Sequence, residues 1–208
     1  MKMIKHILDH QLIAIIRGAA LADVLQIVNA LYEGGIKTIE VTLNSPDALA
    51  AINKLSGEMK GRMEVGAGTV LDPSDAKKAI DAGAKFIISP IGDPATIRFT
   101  TDAGVVSIPG AYTPTEIYNA YTAGGDIIKV FPASGGPSYI KEIRAPLPHI
   151  PLMPTGSINL ENIQAFKQAG GIAFGLGKAL VDTTQKVTDE YLEQLIKKSG
   201  DFVRAVQQ

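Results

Sequence analysis

The chain of 208 residues contains no cysteine, which excludes disulfide bonds, thiolate catalysis and a cysteine-based zinc site. Aromatic residues are few at 6%, although 46% of the chain is hydrophobic, so we expect an aliphatic core. The formal net charge is −1 and no basic run carries interleaved aromatics, which argues against nucleic acid as a partner. Because no long apolar block occurs and residues 1–10 carry scattered charges, we expect neither a signal peptide nor a membrane span, and a cytoplasmic location.

What the chain does contain is a repeated alternation of an apolar strand and a helix. After a short predicted helix over residues 2–10, eight strands are predicted at 12–18, 38–42, 63–69, 86–90, 105–110, 126–133, 152–156 and 172–177. The helices between them include 21–33, 138–144 and 159–169, and a final amphipathic helix covers 188–206. Several of these helices start at a capping residue followed by proline, as at Asp72-Pro73 and Thr113-Pro114.

Eight strand-then-helix units in one chain favour an α/β fold, a closed (β/α)8 TIM barrel with an extra N-terminal helix, over residues 1–208 as a single domain. A doubly wound open sheet is the alternative, although it is usually built from fewer strands. Active sites of the barrel lie at the carboxyl ends of the strands. The residues at those ends, most of them polar or glycine, are Arg17, Glu40, Thr42, Asn44, Gly68, Thr69, Ser89, Pro90, Pro109, Gly110, Lys129, Phe131, Thr155, Gly156, Ser157, Gly175, Leu176, Gly177 and Lys178.

Lys129 lies in the middle of the apolar segment Asp126-Ile127-Ile128-Lys129-Val130-Phe131-Pro132. Burial disfavours the charged form of an amine, and an uncharged lysine is the nucleophile that forms imines with carbonyl substrates. Glu40, between Ile39 and Val41, is the candidate general acid/base, because burial raises the pKa of a carboxylic acid toward neutrality. The alternatives are a lysine that snorkels to the strand end, or a buried ion pair of Lys129 and Glu40 without chemistry.

Two anion sites are predicted beside this pair. The glycine-rich turns at Thr155-Gly156-Ser157 and Gly175-Leu176-Gly177-Lys178 follow strands seven and eight, where barrels commonly bind phosphate, although they are also compatible with simple tight turns. Arg17, with Thr69, is placed to bind a carboxylate in bidentate fashion, or else is a rim residue without a ligand. Carboxylate, ketone and phosphate sites together describe a phosphorylated 2-keto acid, whose C3–C4 bond an imine at Lys129 would allow to break.

Seven motifs follow one another along the chain: Ile39-Glu40-Val41-Thr42, Val65-Gly66-Ala67-Gly68-Thr69-Val70, Ile88-Ser89-Pro90, Ile108-Pro109-Gly110, Ile128-Lys129-Val130-Phe131-Pro132-Ala133, Met153-Pro154-Thr155-Gly156 and Gly175-Leu176-Gly177-Lys178-Ala179-Leu180. This ordered set resembles the KDPG/KHG aldolase family, class I aldolases that release pyruvate from 2-keto-3-deoxy-6-phosphogluconate or 4-hydroxy-2-oxoglutarate. The resemblance implies Lys129 as the Schiff-base lysine and Glu40 as the acid/base working through water. It places Thr69, Pro90, Phe131 and Thr155 along the substrate, and Gly156 and Gly177 at its phosphate. It also implies that no metal or other cofactor is needed, and a homotrimer.

Two positions depart from the family pattern. Asn44 stands where many members have a carboxylate-binding arginine, so Arg17 is expected to bind the substrate carboxylate instead. Lys178 stands where serine is common in the phosphate loop. The segment Leu43-Asn44-Ser45-Pro46 is more similar to the aldolase for the galactonate epimer, KDPGal, whereas Pro154-Thr155-Gly156 is more similar to the gluconate type. The remaining alternatives are a barrel isomerase or synthase without covalent chemistry and a non-catalytic protein that binds sugar phosphates.

Overall fold

The structure is a computed structural model that describes residues 2–207. Its strands are β1 (Leu12–Ile16), β2 (Thr38–Thr42), β3 (Glu64–Gly68), β4 (Phe86–Ile88), β5 (Val106–Ile108), β6 (Gly110–Ala111), β7 (Ile128–Val130), β8 (Leu152–Pro154) and β9 (Phe174–Leu176). Its α-helices are α1 (Lys2–His10), α2 (Val24–Glu33), α3 (Ala48–Glu58), α4 (Pro73–Asp81), α5 (Pro94–Asp102), α6 (Pro114–Thr122), α7 (Gly136–Arg144), α8 (Ile163–Gln168) and α9 (Asp189–Gln207). Within residues 2–207, no helix is both long and apolar enough to span a membrane.

All strand pairs are parallel, and they form two sheets. The larger sheet has the order β5-β4-β3-β2-β1-β9 and the smaller one the order β6-β7-β8. Isolated parallel bridges pair Leu152 with Gly171 and Thr155 with Gly175, which brings the smaller sheet against β9. The chain therefore has an α/β fold built on a curled parallel sheet, as alternating strands and helices predict.

Each predicted strand segment contains an observed strand, but the fifth one is divided. Pro109 separates β5 from β6, because proline has no backbone N–H to donate to a neighbouring strand. Its carbonyl oxygen still accepts a hydrogen bond from the Lys129 amide at 2.9 Å. Strand β7 therefore lies beside the break, with Gly110 in register with Lys129.

Helix starts follow the predicted caps where a side chain binds the first turn. The Asp72 carboxylate accepts from the Asp75 amide at 2.8 Å, and Thr113 and Glu116 form a capping box at the start of α6. Helix α8 begins at Ile163 instead of residue 159, because the Asn159 side chain accepts from two following amides and forms a turn first. Capping chemistry thus fixes these boundaries more closely than hydrophobic periodicity does.

One buried cluster joins side chains of the strands to the N-terminal helix. It contains Ile13, Phe86, Ile108 and Met153 together with Ile7 of α1, which is 1% exposed. A larger aliphatic cluster fills the space between the strands and the surrounding helices. The carboxyl ends of the strands remain open, and the site residues predicted from the sequence lie at that end.

Candidate active site

Lys129 occupies the centre of β7 and is 5% exposed. Its strand neighbours Ile128 and Val130 are fully buried, and its amine lies 4.7 Å from the centre of the Phe131 ring. Burial lowers the pKa of the Lys129 amine, because the charged form loses hydration. The negative charge of Glu40 opposes this shift and the positive charge of Arg17 adds to it. The amine is therefore biased toward its uncharged, nucleophilic form.

Glu40 lies on β2, is 1% exposed, and has no hydrogen-bond partner at Oε2. Burial raises the pKa of its carboxylic acid, and the positive charges of Lys129 and Arg17 oppose that rise. Among residues 2–207, no ion pair within 4.0 Å joins Glu40 to Lys129, so the direct buried ion pair left open by the sequence is not formed. A buried oxygen without a hydrogen-bond partner destabilises the fold unless a water or ligand donates a hydrogen bond to it.

A cavity of about 400 Å³ opens at the carboxyl ends of the strands. It is lined by Ile15, Arg17, Thr69, Pro90, Lys129, Phe131, Thr155, Gly156 and Gly177. Eight of these nine residues are among the predicted site residues. Ile15 was missed, although alternation along β1 puts it on the same face as Arg17. The lining does not include Glu40, Asn44 or Lys178, which the sequence also assigned to the site.

The Arg17 guanidinium is held at the cavity mouth by two side chains. One of its terminal nitrogens donates to Oδ1 of Asn44 at 2.8 Å, and the other donates to Oγ1 of Thr69 at 3.3 Å. Thr69 has a positive φ of 58°, an uncommon backbone conformation for threonine. A guanidinium has five N–H donors in a planar fork, so these two bonds leave donors for a carboxylate. Asn44 therefore positions Arg17.

The backbone around Arg17 is also held, by two hydroxyl groups that the sequence analysis did not single out. The Gly18 amide donates to Oγ of Ser45 at 2.8 Å, and the Thr183 hydroxyl donates to the Arg17 carbonyl. Ser45 is 9% exposed and its Oγ also lies 2.9 Å from Oγ1 of Thr42. Loops after β2 and β9 therefore fix where β1 ends. Ser45 was detectable as the neighbour of Asn44, whereas nothing in the sequence distinguished Thr183.

The far end of the cavity is built from the glycine-rich turns. Thr155 is 2% exposed, and its side chain packs against Gly175, where a methyl group would lie 2.5 Å from Oγ1 of Thr155. Gly156 has a φ of +85°, which favours glycine, and the space beside Gly177 is open. Lys178 has a 74% exposed side chain and lies 3.8 Å from Asp182, so the structure leaves it outside the cavity wall.

Comparisons with known proteins agree with this arrangement. The family model for KDPG and KHG aldolase matches residues 3–197. A probable 2-dehydro-3-deoxy-6-phosphogalactonate aldolase from Rhizobium meliloti is 38% identical over 83% of this chain and 82% of its own. The 2-dehydro-3-deoxy-phosphogluconate aldolase of Pseudomonas aeruginosa is 38% identical over 77% of this chain and 76% of its own.

Solved structures give the same result. A native KDPGal structure superposes with a TM-score of 0.88 at 32% identity, covering 94% of each chain. The KDPG aldolase of Legionella pneumophila, captured with pyruvate as a covalent carbinolamine intermediate, has a TM-score of 0.78 at 27% identity, covering 95% of this chain and 93% of its own. With a family match over most of its length and relatives above 30% identity, the chain belongs to the KDPG and KHG aldolase family.

Proposed function

We propose that this protein is a class I aldolase that cleaves a phosphorylated 2-keto-3-deoxy acid, such as 2-keto-3-deoxy-6-phosphogluconate, into pyruvate and an aldehyde. The observation that carries the proposal is the buried Lys129 amine, whose pKa is lowered, facing the same cavity as Arg17. An uncharged amine beside a carboxylate-binding guanidinium suits a 2-keto acid, which carries its carboxylate next to its ketone.

Binding comes first. Arg17 holds the substrate carboxylate, and Thr69 and Asn44 keep the guanidinium in place. The amine of Lys129 adds to the C2 ketone, and the resulting carbinolamine loses water to give an iminium ion. Phe131, next to the amine, and Pro90 provide apolar walls that exclude bulk water and favour the uncharged amine.

Glu40 then moves the protons, through an intervening water. It takes the proton of the C4 hydroxyl as the C3–C4 bond breaks, and the electrons of that bond pass to the iminium to form an enamine. The aldehyde leaves, C3 receives a proton, and water hydrolyses the second iminium to release pyruvate and restore Lys129. The raised pKa of Glu40 suits a group that both accepts and donates a proton near neutrality.

The distal phosphate is assigned to the turns at Gly156 and Gly177, and Lys178, the residue after Gly177, is assigned as an added positive charge. Backbone amides of glycine-rich turns bind phosphate, and the open space beside Gly177 leaves room for it. The 2-dehydro-3-deoxy-6-phosphogalactonate epimer is the second candidate substrate, because a probable aldolase for it matches this chain with the same identity as a gluconate-type relative.

Residues 1–208 form a single closed (β/α)8 barrel in this proposal. The bridge of Thr155 to Gly175 supports closure between β8 and β9, and the bond from Lys129 to Pro109 supports closure at the break between β5 and β6. Counting β5 and β6 as one strand then gives eight strands. The proposal also includes a homotrimeric assembly and a reaction without a cofactor, both implied by the family resemblance, and a cytoplasmic location.

Borohydride trapping tests the reaction. Pyruvate plus borohydride is expected to inactivate the protein and to add the mass of one reduced pyruvate, located on Lys129 by peptide mass spectrometry. Lys129→Met, which keeps the apolar stem, should take up no label. Lys85→Met is the matched control, because Lys85 precedes β4 at the opposite ends of the strands and should leave labelling intact. A wild-type protein without label, or label on another lysine, would refute the proposed function.

A further inference from the structure

We propose that Gly68 is a positioning residue for Glu40, and that the glycines of β3 form a seat that directs the Glu40 carboxylate toward the open end of the sheet. The inference rests on the proposed function, in which Glu40 moves protons at the substrate. It concerns the segment Glu64–Gly68, whose two glycines in alternating positions face the same side of the sheet.

The first observation is the fit between Gly68 and the carboxylate. A methyl group at Gly68 would lie 2.6 Å from Cδ of Glu40 and 2.7 Å from each carboxylate oxygen, which is closer than non-bonded atoms approach. Glu40 is itself 1% exposed, so its side chain has little free space to yield into. Glu40 therefore fits its present position only because residue 68 has no side chain.

The second observation is the direction of the carboxylate along the sheet. In the β2–β3 register, Glu40 is opposite Gly66, whereas Gly68 is opposite Thr42. The carboxylate thus lies two residue positions, roughly 6 to 7 Å, beyond its own backbone toward the carboxyl ends of the strands. That is the end at which the cavity containing Lys129 opens.

The third observation concerns the space behind the carboxylate. A methyl group at Gly66 would lie 2.3 Å from the nearest atom of the Phe86 ring, so that ring fills the position beside Glu40 on β3. Phe86 is fully buried and is the first residue of β4. Its ring therefore occupies the space on β3 that is level with the Glu40 backbone, and the space beside Gly68 is left for the Glu40 carboxylate.

The fourth observation is that hydrogen bonding does not hold the carboxylate. Oε2 of Glu40 has no partner, and none of the described residues forms an ion pair with this carboxylate within 4.0 Å. Without such a bond at Oε2, the position of the carboxylate depends on its packing against Gly68. Oε2 is left available for a water or the substrate, as a proton-transferring group requires.

Gly68→Ala tests the inference without straining the backbone, since φ at Gly68 is not positive. We expect kcat for cleavage to fall at least tenfold with little change in KM. In the profile of kcat against pH, the pH at which protonation of Glu40 changes the rate should also shift. Trapping of pyruvate on Lys129 should persist. Gly57→Ala, in α3 with open space around it, is the matched control and should leave activity unchanged. A kcat for Gly68→Ala within twofold of wild type would overturn the inference.

Shortening the acid provides the decisive comparison. Glu40→Asp withdraws the carboxylate by one methylene, so Gly68→Ala should slow the Glu40→Asp protein by a smaller factor than it slows wild type. Equal factors in both backgrounds would overturn the inference. If Gly68→Ala fails to fold, the same substitution in a Glu40→Ala protein should fold and leave its urea midpoint unchanged, and a drop there would equally overturn it. Absence of pyruvate trapping in wild type would instead refute the proposed function.

Discussion

Replacing Arg17 tests two proposed effects of this residue, one on substrate binding and one on the pKa of Lys129. Arg17→Met keeps much of the length of the side chain but removes the charge and both hydrogen bonds, to Asn44 and to Thr69. If the guanidinium binds the substrate carboxylate, its loss should weaken substrate binding. Because the same charge lowers the pKa of Lys129, its loss should also change the pH dependence of imine formation.

The size of the binding effect follows from the exposure of the site. A hydrogen bond to a charged group is worth about 1.5 to 3 kcal/mol, which corresponds to roughly tenfold to 150-fold in KM. Arg17 is exposed to solvent at the cavity mouth, so the lower half of that range is expected. Pyruvate release, followed through a coupled reduction of pyruvate by NADH, gives KM and kcat separately.

The pH effect has a definite sign. Arg17 disfavours protonation of Lys129, so removing it raises the pKa of the amine and leaves less uncharged amine at a given pH. The acid limb of imine formation should therefore move to higher pH in Arg17→Met. Arg17→Lys keeps a positive charge but loses the planar fork, so it should raise KM while leaving the limb closer to that of wild type.

Two results would refute this reasoning. An unchanged KM in Arg17→Met would show that the guanidinium does not bind the substrate carboxylate. An acid limb that moved to lower pH would contradict the electrostatic coupling of Arg17 to Lys129.

Three further predictions concern residues around the cavity. Ser45→Ala removes the acceptor of the Gly18 amide, so KM should rise with kcat retained, and the free energy of unfolding, measured with urea, should fall by about 0.5 to 1.5 kcal/mol. Ser45→Thr keeps a hydroxyl group and should leave both close to wild type, and unchanged kinetics in Ser45→Ala would contradict the role of Ser45. Lys178→Met should raise KM about tenfold or less, and for a phosphorylated substrate only, because the proposed role of this charge is to attract the phosphate. The fold should be little affected, since the exposed pair with Asp182 contributes little to stability, and an equal rise in KM for a non-phosphorylated keto acid would contradict the role of Lys178. Glu40→Gln should still trap pyruvate but lose at least a hundredfold in kcat for cleavage, as general acid–base catalysis contributes that much, and near-normal cleavage would contradict it.

The positions of the strands and of the reactive groups were predictable because they depend on local patterns. Lys129 was recognised as a charge inside an apolar run, and burial of that run follows from its composition. Parallel strands bring their carboxyl ends together, so Arg17 and Thr69 could be placed side by side before their hydrogen bond was seen. The predicted helix starts at Asp72 and Thr113 followed from capping chemistry in the same way.

What the sequence did not reveal depends on side-chain directions and on contacts between distant segments. Thr183 binds the Arg17 carbonyl across 166 positions, and no local pattern records such a contact. Lys178 was assigned to the site by its place after the last strand, yet its side chain lies outside the cavity wall beside Asp182. The seat for Glu40 was also invisible, because glycine in a strand indicates a close approach without naming what approaches.

The central claim is that burial lowers the pKa of one amine, that of Lys129, and so favours its uncharged, nucleophilic form. Nuclear magnetic resonance of protein with isotope-labelled lysine side chains measures the pKa of each amine directly, because the resonance of the side chain moves when the amine loses its proton. We expect one lysine whose pKa is lower than the ordinary value of about 10.4, and whose signal is missing from Lys129→Met. A Lys129 amine that titrates together with the exposed lysines would contradict the account.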